Sequence, residues 1–90
     1  MERIDVIVTG RVQGVAFRWH AAAHARGLGL TGWVRNRPDG SVRLVAEGPR
    51  PPLETLLVWL GRGPDRARVD HCRVTWQQAT GQYDNFEITG

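Results

Sequence analysis

The chain has 90 residues, 41% hydrophobic and 23% charged, which is typical of one folded domain over residues 1–90 and excludes a disordered chain. Its twelve basic residues are all arginine and face nine acidic ones, and the resulting net charge of +3 suits a phosphorylated small molecule or a nucleic acid. No apolar run reaches the roughly 18 residues of a membrane helix, and the first residues do not have the pattern of a signal peptide. The single cysteine, Cys72, excludes an internal disulfide. We therefore expect a cytoplasmic protein without a membrane partner.

The first half of the chain predicts a strand, a helix and a β-hairpin. Apolar and polar residues alternate over residues 4–11, as in a strand that ends near Gly10 and Arg11. Apolar side chains then recur at helical spacing over residues 17–28. Strands at 32–36 and 41–47 are joined by a turn that contains proline and glycine, so they are expected to pair antiparallel.

The second half predicts a helix followed by two strands. Pro51-Pro52 is typical of a first helical turn, and Gly61 with Gly63-Pro64 is expected to end the helix. Four leucines form one apolar stripe along it: Leu53, Leu56, Leu57 and Leu60. A strand over 67–76 is expected to place Cys72, Val74 and Trp76 on one side, and a short strand over 86–89 closes the chain.

This order of elements predicts an α+β fold, specifically a ferredoxin-like α/β sandwich with a short extra C-terminal strand. Two helices would cover one face of a mixed, largely antiparallel sheet. In this topology the first two strands run parallel with the third between them, so their C-terminal ends lie at one edge of the sheet. We therefore expect the loop 11–18 to meet Asn36 beside the start of the first helix.

The loop between the first strand and the first helix has the features of an anion site. Gly14 permits a tight turn that brings successive N–H groups toward a ligand, and the helix N-terminus adds a partial positive charge. Arg18 in the first helical turn can add a charged fork that matches phosphate oxygens. A glycine loop alone is more often only a tight turn with a surface arginine, so this loop needs a second signal.

The second signal lies at residues 32–48. The chain has GRVQGVAFR at 10–18 and GWVRNRPDGSVRLVAEG at 32–48. The first segment fits the motif G-x-V-Q-G-V-x-[FY]-R at every position, and the second fits G-[FYW]-[AV]-[RK]-N-x-x-x-G-x-V-x-x-x-x-x-G at every position. The chain thus resembles the acylphosphatase family. The resemblance extends from Ile4 to Ile88, although residues 77–85 match nothing in particular.

The resemblance implies an enzyme that hydrolyses a small-molecule acyl phosphate to a carboxylate and inorganic phosphate, with no metal and no other cofactor. A monomer is the simplest expectation for such a chain. It implies that Arg18 binds the phosphate and that Asn36 orients the attacking water. It also implies a phosphate-binding loop formed by the backbone N–H groups of Gln13, Gly14, Val15, Ala16, Phe17 and Arg18.

The residue types agree with this chemistry. A carboxylic acid with a pKa of about 4 departs without a general acid, so the protein must mainly neutralise phosphoryl charge and hold water in line. Asparagine cannot act as a base at neutral pH. We therefore expect a phosphate oxygen of the substrate to accept the proton of the water that Asn36 holds.

Other sites are weaker candidates. A cysteine phosphatase would have an arginine where this chain has Gln78, so Cys72 is not expected to be a nucleophile. We expect Cys72 to be a small buried side chain. His20 and His24 are four residues apart on the first helix, but no third metal ligand accompanies them, so a surface pair is expected. Trp19 and Trp33 could line the acyl side of the site.

The main alternative function is a non-catalytic ferredoxin-like module that binds RNA or a small anion. RNA-binding modules of this fold stack bases on aromatic residues of the central strands. The third strand, residues 41–47, contains no aromatic residue, and the arginines are scattered along the chain. A partner nucleic acid is therefore not expected.

Overall fold

The computed structural model describes residues 1–90 and contains the seven expected elements in the expected order. They are β1 (Glu2–Arg11), α1 (Phe17–Gly27), β2 (Thr31–Asn36), β3 (Val42–Gly48), α2 (Arg50–Arg62), β4 (Arg68–Gln78) and β5 (Phe86–Ile88). Neither helix is long and apolar enough to cross a membrane.

The five strands form one mixed sheet in the order β4-β1-β3-β2-β5. β3 lies between β1 and β2 and is antiparallel to both, so β1 and β2 are parallel to each other. β4 pairs antiparallel with β1 at one edge, and β5 pairs parallel with β2 at the other. The predicted ferredoxin-like arrangement is confirmed, and it brings the C-terminal ends of β1 and β2 to the same edge of the sheet.

The core lies between the sheet and the two helices. Three leucines of the predicted stripe, Leu53, Leu56 and Leu60, are fully buried, whereas Leu57 packs against the edge of the core. α1 contributes small side chains, including Ala21 and Ala25, which are also fully buried. Small side chains let a helix approach the sheet closely, and this closeness fixes α1, and the loop before it, against the ends of β1 and β2.

The end of α2 and the exposure of β4 differ from the sequence-based expectations. α2 continues through Gly61 to Arg62, because Gly61 fits within the last turn and the left-handed backbone that ends the helix is supplied by Gly63 at φ 72°. β4 extends to Gln78 because its last residues pair with the start of β1. Val74, expected beside Cys72 and Trp76, is 36% exposed because β4 is an edge strand.

The sheet face opposite the helices is partly covered by the segment after β4. Glu47 is only 4% exposed and accepts hydrogen bonds from Thr80 N (2.9 Å), Thr80 Oγ1 (2.9 Å) and Gly81 N (3.0 Å). Arg3 Nη1 lies 3.5 Å from the same carboxylate. Burial alone would raise the pKa of Glu47, but the hydrogen bonds from Thr80 and Gly81, with Arg3, outweigh it and lower the pKa. Glu47 therefore anchors the segment that leads into β5.

Candidate active site

A cavity of about 310 Å³ lies at the sheet edge where β1 and β2 end. It brings together the three features that the sequence predicted to meet, namely the loop after β1, Arg18 and Asn36. The residues that line the cavity are Val12, Gly14, Ala16, Phe17, Arg18, Trp19, Asn36 and Ile88. The convergence follows from the topology, because β1 and β2 are parallel and end side by side across β3.

The loop before α1 presents unpaired backbone donors. Gly14 at φ 74° and Ala16 at φ 58° both have left-handed backbone, which turns the chain sharply toward the helix. For Ala16 this conformation costs about 1 kcal/mol, a strain of the kind found at functional sites. None of the N–H groups of residues 13–18 donates a hydrogen bond within the protein, and no side chain caps α1. These donors and the helix dipole favour an anion.

Arg18 adds a full positive charge beside these donors. Its side chain lies in the first turn of α1, and its Nη1 donates to the backbone oxygen of Gly90 at a distance of 3.1 Å. Arg18 forms no ion pair with an aspartate or glutamate side chain. The single hydrogen bond orients the guanidinium and leaves its remaining N–H groups and its charge for a ligand.

Asn36 is the last residue of β2 and faces the helix side of the sheet with Val34. Its Oδ1 is shielded from solvent and accepts no hydrogen bond within the protein. A buried acceptor without a partner is unusual in folded proteins and costs free energy unless a bound molecule donates to it. Asn36 also lines the cavity, so its side-chain amide is a candidate hydrogen-bond partner for a molecule bound there.

Gln13 has a structural role that the sequence did not reveal. Its Nε2 donates to the backbone oxygens of Arg37 (2.8 Å) and Ser41 (2.9 Å), which ties the loop after β1 to the turn that follows Asn36. The carboxylate of Asp39 accepts hydrogen bonds from the Ser41 hydroxyl and N–H, and these bonds lower the pKa of Asp39. Sequence spacing does not show that the Gln13 side chain bridges two loops. Only the backbone N–H of Gln13 was predicted to take part, in phosphate binding.

The other candidates lie outside this cavity. Cys72 is half-buried in β4, its Sγ donates to the Leu60 oxygen (3.7 Å), and burial raises the pKa of its thiol, the reverse of an activated nucleophile. His20 and His24 lie on the surface of α1 in a neighbouring groove. No group of three or more histidine, cysteine or acidic side chains is arranged to hold a metal ion.

The two tryptophans have different positions. Trp19 lines the cavity and is 64% exposed. The suggestion that Trp33 also lines it was wrong, because Trp33 and Asn36 are three residues apart in a strand and so face opposite sides of the sheet. Trp33 Nε1 donates to the Tyr83 hydroxyl at 3.2 Å, and the guanidinium of Arg35 lies 4.9 Å from the Trp33 ring.

Comparison with known proteins decides the family. The family model for acylphosphatase matches residues 4–88. The chain belongs to the acylphosphatase family. An acylphosphatase from Methylococcus capsulatus (strain Bath) is 51% identical over 88 residues, which cover 98% of this chain and 96% of that protein. Hydrolysis of acyl phosphates is the activity that these relationships support.

Solved acylphosphatase structures agree with the fold. The crystal structure of acylphosphatase from Bacillus subtilis superposes with a TM-score of 0.96 at 36% identity and covers 100% of both chains. The structure of an acylphosphatase from Coxiella burnetii gives a TM-score of 0.91 at 39% identity and covers 98% of this chain and 93% of that one. The predicted family and fold are therefore confirmed over nearly the whole chain.

Proposed function

We propose that this acylphosphatase binds the phosphoryl group of its substrate with Arg18 and the backbone N–H groups of residues 13–18, and that Asn36 positions the attacking water. The observation that carries this proposal is that Arg18, Asn36 and the loop residues Gly14, Ala16 and Phe17 line one cavity of about 310 Å³. The unpaired N–H groups and the Arg18 charge supply the positive environment, and the side-chain amide of Asn36, which lines the cavity and whose Oδ1 has no partner in the protein, can hydrogen-bond to the water.

The reaction requires little beyond charge neutralisation and alignment. The oxygen of water forms a bond to phosphorus while the bond from phosphorus to the acyl oxygen breaks, and the electron pair leaves with the carboxylate. Because a carboxylate is a good leaving group, no side chain has to protonate it. The cavity holds the reactants in line and presents donors where negative charge accumulates on the phosphoryl oxygens.

The water must lose a proton, and the cavity suggests where that proton goes. No aspartate, glutamate or histidine lines the cavity, and the Asn36 amide is not a base at neutral pH. We infer that a phosphoryl oxygen of the substrate accepts the proton, which yields inorganic phosphate directly. This reaction needs no metal ion and no cofactor, so metal-independent hydrolysis is part of the proposal.

The test is hydrolysis of benzoyl phosphate by the wild-type chain with a chelator present, with 4-nitrophenyl phosphate as the monoester control. We expect turnover of the acyl phosphate only. Arg18→Gln should lower kcat/KM by roughly a hundredfold to a thousandfold, as removal of a preorganised donor does elsewhere. Arg73→Gln removes the same charge from an exposed strand position and should leave kcat/KM unchanged. Loss of activity with chelator, or equal activity of the two variants, would contradict the proposal.

We propose further that residues 1–90 act as one domain and as a monomer in the cytoplasm without a nucleic-acid partner. The shared sheet and the single core cluster support one folding unit, and a chain whose only cysteine is Cys72 does not depend on an internal disulfide. Light scattering after gel filtration tests the monomer. A mass of two chains would contradict it.

A further inference from the structure

A second groove adjoins the proposed phosphate site and has no part in the mechanism above. Its volume is about 720 Å³, and it shares Gly14 and Ala16 with the smaller cavity. The opposite wall is formed by the end of α2 and the turn that follows, residues 62–66. A ligand whose phosphate sits against the loop could therefore extend past Gly14 and Ala16 into this groove.

The far wall of the groove carries two arginines without acidic partners. Arg62 and Arg66 are exposed, and neither takes part in any of the six ion pairs of the protein. Asp65 also lines the groove, but its carboxylate is more than 4.0 Å from both guanidinium groups. Both positive charges are thus available to an anion that enters the groove.

An aromatic wall connects the loop to these arginines. Trp59 is half-buried in the groove, with the His24 ring at a centroid distance of 4.4 Å and the buried Phe17 ring at 5.4 Å. A Cβ atom at Gly63 would lie 3.0 Å from Phe17 Cε2, so the turn after α2 packs directly on the start of α1. This packing holds the backbone at Gly63, next to Arg62, against the start of α1.

We propose that the groove binds the acyl portion of the substrate and that Arg62 and Arg66 recognise a second anionic group on it, a carboxylate or a phosphate. The acyl chain would lie along Trp59, which offers apolar surface between the two charged ends. This inference rests on the proposed function, because it assumes that the phosphoryl group occupies the site beside Arg18. The preferred substrates are then acyl phosphates with a negative charge at both ends.

The test compares matched aromatic acyl phosphates at low ionic strength. The substrates are benzoyl phosphate, 3- and 4-carboxybenzoyl phosphate, 4-phosphonobenzoyl phosphate, and the neutral isostere 4-carbamoylbenzoyl phosphate. We expect kcat/KM for at least one of the anionic substrates to exceed that of the carbamoyl substrate by about fivefold or more, given the strength of exposed ion pairs. The carboxy and phosphono substrates distinguish the two kinds of anion.

The double variant Arg62→Gln/Arg66→Gln should abolish this preference, so that within that variant the anionic substrates and the carbamoyl substrate give equal kcat/KM. Arg35→Gln/Arg73→Gln removes the same total charge from the opposite sheet face and should retain the preference. Equal kcat/KM for anionic and neutral substrates in the wild type, or a preference that survives in the Arg62/Arg66 variant, would overturn this inference alone. Absence of benzoyl phosphate turnover by the wild type would overturn the proposed function and this inference with it.

Discussion

Replacement of Glu47 by glutamine tests how the active-site edge is held together. The carboxylate accepts three hydrogen bonds from residues 80 and 81, and that segment leads to β5. Ile88 of β5 lines the cavity, and the oxygen of Gly90 orients Arg18. Glu47 therefore anchors the segment that leads to the site, and it is the most buried charged side chain of the protein, although it lies on the opposite sheet face.

The size of the effect follows from these bonds. A hydrogen bond to a charged group contributes about 1.5–3 kcal/mol. In Glu47→Gln one amide oxygen can still accept from Thr80, but the amide nitrogen faces the Gly81 N–H and the remaining bonds lose their charge assistance. We expect a loss of about 3 kcal/mol in the free energy of unfolding. For a chain of this length that corresponds to a decrease of roughly 12–24 °C in Tm.

Thermal unfolding at pH 7, followed by circular dichroism or calorimetry, measures this decrease. Glu87→Gln is the matched control, because Glu87 is exposed in β5 and forms no ion pair. Its Tm should stay within about 2 °C of the wild type, as for most surface substitutions. Equal Tm values for Glu47→Gln and Glu87→Gln would refute the anchoring role of Glu47.

Four further predictions concern stability and turnover. Folding lowers the pKa of Glu47, so this carboxylate stabilises the protein fully above its unfolded pKa of about 4.5, and the stabilisation is lost as pH falls through the folded pKa. The free energy of unfolding of the wild type should therefore fall more steeply in acid than that of Glu47→Gln. Asn36→Ala should lower kcat by about tenfold to a hundredfold and leave KM for benzoyl phosphate nearly unchanged. Gly14→Ala should cost about 1–2 kcal/mol of stability, because its φ is 74° but no atom lies within 4 Å of the added Cβ. Gly32→Ala should cost about 3–5 kcal/mol, because φ is 136° and the Cβ would lie 1.9 Å from the Val45 oxygen.

Each of these predictions has a simple contradicting result. Parallel pH profiles of stability for the wild type and Glu47→Gln would exclude the proposed linkage. A rise in KM alone for Asn36→Ala would exclude water positioning. Urea unfolding measures the two glycine variants side by side, and an equal loss of stability in both would show that the close approach of backbone at Gly32 has no energetic consequence.

The sequence predicted the architecture well because the core follows simple periodicity. The leucine stripe of α2 and the alternation in β1 each identify one buried face, and the order of elements then leaves few topologies. The burial of Val45 and Glu47 could not be predicted in this way. Both face away from the helices, and Glu47 accepts hydrogen bonds from Thr80 and Gly81, a long-range contact that no local pattern in the sequence records.

The sequence predicted that the loop, Arg18 and Asn36 meet at one edge of the sheet, but it did not predict their contacts. Parallel strands end at one edge, so the meeting of the loop with Asn36 follows from topology. The two hydrogen bonds of the Gln13 side chain and the bond from Arg18 to Gly90 depend on the exact separation of loops, which spacing alone does not fix. Trp33 was misplaced for a different reason, since the alternation of side chains along β2 already put it opposite Asn36.

The most direct measurement is the position of ¹⁸O after hydrolysis of benzoyl phosphate in ¹⁸O-labelled water. Attack of a water held by Asn36 on a phosphoryl group held by Arg18 places the label in inorganic phosphate and leaves benzoate unlabelled. Mass spectrometry of the two products distinguishes the two bonds that can break. Label in benzoate would mean that water attacks the carbonyl carbon, and it would contradict the mechanism proposed for this cavity.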